Sequence, residues 1–174
     1  MPEILLSPSF RRRLAATVYE ALLLFGLLFV TGLIFGTLLQ QRHALFLRRE
    51  LQAVVIFVMG LYFVWFWSHG GQTLAMKTWR MRLLTATGQP VPPLRAAVRY
   101  ALCWLWVVPG LLVAGLVGAR GWWLVLIPVA NIAGWVALAL ADPARQYVHD
   151  RLAGTRLVRV EDALKIATKP SGRA

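Results

Sequence analysis

The sequence predicts an all-α membrane protein: a four-helix transmembrane bundle with short amphipathic cytoplasmic helices, leaving room for a small two-stranded cytoplasmic ladder. Three observations point there. Of the 174 residues, 59% are apolar and only 15% charged, far from the balance of a soluble domain. Four apolar runs approach or exceed the roughly 20 residues needed to cross about 30 Å of hydrocarbon. The basic residues, which give a net charge of +12, crowd the segments that alternate runs would leave on one side.

The four runs, taken as spans, cover residues 15–39, 51–67, 101–118 and 122–141. The first is too long for the apolar stretch of a cleaved signal peptide and no small-x-small site ends it, so it is expected to stay as an anchor. The second and third are the shortest, which leaves open whether each crosses fully. Trp65 and Trp67 close the second run, Tyr100 opens the third, and Trp122 with Trp123 opens the fourth. Aromatic rings at these positions suit the headgroup zone.

Orientation follows from charge. The leader, the loop of residues 68–100 and the segment after residue 141 hold 15 of the 19 Lys and Arg, so both termini are expected in the cytoplasm. A basic face beside a membrane also accounts for the charge without nucleic acid; its expected partners are the bilayer and anionic headgroups, with a homo-oligomer or a membrane partner protein open.

Between the spans the local signals are short. Ser68-His69-Gly70-Gly71 stops a helix, and Gln72 to Trp79 reads as an amphipathic surface helix with Leu74, Met76 and Trp79 toward lipid and Lys77 toward phosphates. Arg80 to Thr85 and Thr155 to Val160 alternate basic and apolar residues, with a turn signal at Thr87-Gly88-Gln89-Pro90, so the two stretches can pair as strands. Asp142-Pro143 is expected to start a helix that runs through Arg145 and Asp150 to a stop at Gly154. Residues 161–174 have nothing to bury and are predicted to be a mobile tail.

Polar residues inside apolar runs are the functional candidates. Glu20 is the one acid within a run, and nineteen residues from Ala21 to Leu39 already cover about 28 Å, so it need not lie at the bilayer centre. Arg13 precedes it by two turns on the same helical face, and can approach either that carboxylate or an acid on another helix. Glu20 and Arg13 then either pin the cytoplasmic end of the bundle with Asp150, the favoured reading, or offer a cation or proton site. Asn131, near the middle of the fourth run, is expected to hydrogen-bond to a neighbouring helix. Gly32 with Gly36, and Gly110 with Ala114 and Gly118, read as close-packing positions, and Pro109 and Pro128 imply kinks. The three histidines are scattered and the one cysteine, Cys103, has no local base. Neither a metal site, a cofactor site nor a catalytic set is expected, and the chain is not read as an enzyme.

Three stretches, FRRRLAATVYEALLL, GQTLAMKTWRMRLLTATGQPVPPLRAAVRY and RQYVHDRLAGTRLV, resemble in order the signatures of the RDD family of bacterial membrane proteins. The resemblance implies a basic cytoplasmic leader over residues 1–13, the family domain over 14–160 and an inner-membrane location. It also implies that the family's Arg and two Asp fall on Arg13, Glu20 and Asp150, with Glu in place of the first Asp. Most members of the family have no assigned molecular activity and a few are linked to sodium/proton antiport, so the resemblance implies an unassigned activity with transport as one reading. The alternative is a non-transporting accessory protein that binds a partner or anionic lipid through its basic face.

Overall fold

The computed structural model describes residues 8–38, 48–142 and 146–161. The predicted tail, apart from Glu161, and residues 143–145 lie outside these, as do His43 and Leu39.

Two long helices come first, α1 (Phe10–Leu38) and α2 (Arg48–Ser68), both apolar enough and long enough to cross a membrane. The second run therefore makes a full-length helix, its 17 apolar residues extended by polar ones at the ends. A third such helix is α6 (Trp123–Ala141). The run at 101–118 behaves differently from its prediction. Its helix begins earlier, as α4 (Pro93–Cys103), passes through a 3-10 turn at Trp104–Trp106, bends by 40° and resumes as α5 (Val108–Leu116). Pro109 explains the break: lacking an N–H, it cannot continue the ladder and instead starts the next helix.

Gly118 is a turn glycine and not a packing one. Its φ is +60°, with open space where a Cβ would stand, and it reverses the chain between α5 and α6. Gly32 likewise meets no neighbouring helix among the described residues. Gly110 does hold α5 against α6, since a Cβ there would come within 2.8 Å of the Pro128 Cα. Asn131 meets its expectation: its amide donates to the Trp106 carbonyl at 2.7 Å, at the helix break.

The remaining elements form a cap at one end of the bundle. After the Gly70-Gly71 stop come α3 (Leu74–Thr78) and β1 (Met81–Thr85); after α6 come α7 (Val148–Leu152) and β2 (Thr155–Arg159). The strands pair antiparallel, Leu83 opposite Leu157. Thr73 caps α3 by accepting from the Met76 N–H. Met76, expected to face lipid, is instead buried in the core, while Leu74 and Trp79 stay exposed. The helix before Gly154 is also shorter than expected, beginning only at Val148, with Gly154 beyond its end at φ +63°.

The core lies where cap meets bundle: Ala16 of α1, Trp67 of α2, Met76, Met81, Leu83, Val91, Ala96 and Leu157. Along the spans, by contrast, Leu22, Phe25, Phe29, Leu124 and Val125 are more than half exposed. Lipid is as apolar as these side chains, so nothing drives them inward. The cap carries the buried core, and the apolar surface of the helices below it is of the kind a bilayer solvates.

Candidate functional site

A cavity of about 620 Å³ opens where the cap meets α1, α2, α4 and α6. Arg13 and Glu20 line one wall two turns apart on α1, Trp67 and Thr73 another, and Arg99, Cys103 and Trp106 a third. Tyr147 and His149 close it from the cap. The volume falls in the range of small-molecule sites.

The three charged residues singled out from sequence do not form one cluster. Glu20 reaches across to hydroxyls: Tyr62 of α2 donates to Oε1 at 2.6 Å, and Thr73 donates to Oε2. Thr73 can do this because its oxygen accepts from Met76 N–H while its proton remains free to point outward. Arg13, 4% exposed, lays its guanidinium 5.0 Å from the centroid of the Tyr147 ring, in the field of the Asp150 carboxylate. Of the two possibilities for Arg13, the structure favours the acid on the other helix.

Asp150 is fully buried, behind the cavity wall. Its Oδ1 accepts from Arg99 Nε and Nη2, both at 2.8 Å, in an ion pair shielded from water on both sides. Arg99 in turn stacks its guanidinium 4.1 Å from the centroid of Trp67. His149 completes the network. Its Nδ1 accepts from the Trp106 indole N–H at 2.9 Å, so in the neutral ring the proton sits on Nε2, which faces Asp150 Oδ1 at 3.4 Å. Burial, only partly opposed by Asp150, pushes His149 down to about 4. Tyr147, also removed from water, is raised.

Sequence reasoning missed Tyr62, Thr73, Arg99 and Trp106. Arg99 did leave a signal, since Ala96, Arg99 and Cys103 share one face of α4 and a basic residue on a buried face needs an acid. Tyr62 and Thr73 left none, because they meet Glu20 only through the tertiary fold, 42 and 53 residues away. Among the described residues no group of three metal-ligating side chains occurs.

A capped set of long apolar helices around a largely apolar cavity that holds a few charged and polar groups defines a multi-span membrane protein. The particular family is shown by sequence: the chain belongs to the RDD family, whose profile matches residues 7–154. No curated protein and no solved structure matches the chain.

Proposed function

We propose that this RDD-family protein is a carrier in the bacterial inner membrane, with both termini cytoplasmic, that exchanges a cation against protons through Glu20. One observation carries the reading: Glu20 is a half-buried carboxylate facing a cavity, and its partners are neutral hydroxyls. Both hydroxyls can turn their lone pairs toward an arriving cation, and an all-oxygen set of carboxylate and hydroxyls suits a hard ion such as sodium. Asp150 is unsuited to the role. Releasing it to a proton would strand Arg99 in a buried site, so Asp150 acts as the pin that holds α4 to the cap. The reading gives Glu20 the exchanging part and Asp150 the structural one, and assigns no enzymatic chemistry. The exposed Lys77, Trp79 and Arg80 would rest against anionic headgroups.

The test is proton movement in proteoliposomes holding the purified protein under imposed sodium and pH gradients. Sodium-driven proton flux in wild type, lost in a folded Glu20→Gln variant, is the expected result. Absence of flux from well-folded wild type would leave the accessory-protein reading in its place.

A further inference from the structure

The cavity is far larger than a bare cation needs, and beyond Glu20 it is lined by apolar side chains. Leu24 stands one turn further along α1, away from the cap and on the same face as Glu20, and Met59 of α2 with Ile132 and Val136 of α6 line the cavity with it. Phe63 and Trp104 add aromatic rings to the wall. The two guanidinium groups of the cavity belong to the cap end and are already engaged. Arg99 pairs with Asp150 and stacks on Trp67, and Arg13 lies against the Tyr147 ring in the field of Asp150. Glu20 differs from both, since its hydrogen bonds among the described residues come from the neutral hydroxyls of Tyr62 and Thr73.

A carboxylate beside an apolar, aromatic-walled space selects a ligand with one positive charge and an apolar body. A bare ion leaves the space unfilled, an apolar neutral molecule leaves the carboxylate without a counter-charge, and an anion meets Glu20 as a like charge. We propose that the cavity binds an apolar organic cation of the tertiary or quaternary ammonium class, its head against Glu20 and its body among Leu24, Met59, Ile132 and Val136. A quaternary head donates no hydrogen bond, so Tyr62 and Thr73 can go on donating to the carboxylate while the head lies against it, and aromatic faces attract such heads. The inference deepens the proposed function: it rests on Glu20 as the cation-binding carboxylate and names the class of cation.

The test is equilibrium binding of tritiated trimethylphenylammonium to the full chain in nanodiscs of zwitterionic lipid, read by scintillation proximity against empty discs. Tetramethylammonium, which has the charge without the body, is expected to displace the label from wild type only at about tenfold higher concentration than unlabelled trimethylphenylammonium, a preference equal to about 1.4 kcal/mol. Glu20→Gln should weaken binding about tenfold, and Glu20→Asp, which keeps the charge, should retain most of it. Leu24→Trp fills the apolar space and leaves the carboxylate in place; it should also weaken binding about tenfold, and it decides the matter if Glu20→Gln fails to fold. Equal displacement by the two ammonium ions would reduce the cavity to a site for bare charge and overturn the proposal. Undiminished binding in folded Glu20→Gln, or no binding above empty discs, would do the same. Because no gradient is imposed, binding that meets these tests in a protein without sodium-driven flux would sink only sodium exchange, whereas sodium-driven flux without such binding would sink only this inference.

Discussion

At the scale of single residues, the network around Asp150 is where stability is most exposed to change. Asp150→Asn removes a charge that Arg99 needs while leaving the guanidinium buried at 8% exposure. Breaking one side of such a pair costs about 3–5 kcal/mol, so the variant is expected to melt well below wild type, read by thermal unfolding in detergent. Removing both charges with Arg99→Met and Asp150→Leu should cost less than the single change. A double variant less stable than Asp150→Asn would show that the pair is not what holds α4 to the cap. His149 gives a pH dependence whose sign is fixed by its burial. Unfolded, the imidazole titrates near 6.5; folded, at about 4. Between those values the unfolded chain carries more protons, so stability stands at its full value above about pH 6.5 and falls as pH drops toward 4, by at most about 1.4 kcal/mol per pH unit. His149→Asn, which keeps an acceptor for Trp106, should flatten that part of the profile. An unchanged slope would assign the acid sensitivity to another group. Glu20 and Asp150 themselves were legible in the sequence as acids in or beside apolar runs. Tyr62 and Thr73 were not, because they are brought to Glu20 over 42 and 53 residues, and Arg99 left only its place on a buried face of α4.

At the scale of elements, what was readable is what local chemistry decides. The strands announced themselves by alternation and the reversal at Gly70-Gly71 by its glycines. Gly71 shows why that stop is obligatory: its φ is +70°, and a Cβ would sit 2.4 Å from the Leu83 carbonyl oxygen. Gly71→Ala combines backbone strain with a clash against β1, and a loss of about 1–3 kcal/mol is expected from the strain alone. Gly70, with open space around it, serves as the control, and a loss at Gly70→Ala as large as at Gly71→Ala would refute the steric account. The bent third span was less legible, since hydropathy reports the apolar content of residues 101–118 but not that the Trp106 carbonyl would need a partner from another helix. Asn131 supplies it. Asn131→Leu should cost about 0.5–2 kcal/mol, the range of hydrogen bonds between membrane helices, and loosen α5 from α6. Met76 misled for a similar reason. A five-residue helix looks like a surface element from its sequence, but β1 and α1 pack over its Met side and turn that face into core.

At the scale of the whole molecule, the two-stranded sheet constrains the membrane topology. β1 precedes α4 and β2 follows α7, yet the two strands pair over five residues, so the chain between them must return to the side it left. The number of crossings between the strands is therefore even. Between the strands α6 is a candidate span; the proposed topology pairs its crossing with one by the bent α4–α5 segment, since a re-entrant loop that turned back would put β2 on the far side of the bilayer from β1. With α1 and α2 forming the first antiparallel pair, the proposed topology has four crossings and both basic flanks at the capped end. The proposed orientation puts that end in the cytoplasm, where basic flanks are expected. Single cysteines introduced by Lys77→Cys, Arg151→Cys and Arg120→Cys, each in a Cys103→Ala background, test the parity argument directly. Positions 77 and 151 should react with an impermeant maleimide from the same face, the cytoplasmic one in inverted vesicles, and position 120 from the opposite face. Labelling of all three from one face would mean that neither α6 nor the bent segment crosses. The cavity would then lie on the membrane surface, with no route through it for an exchanging ion.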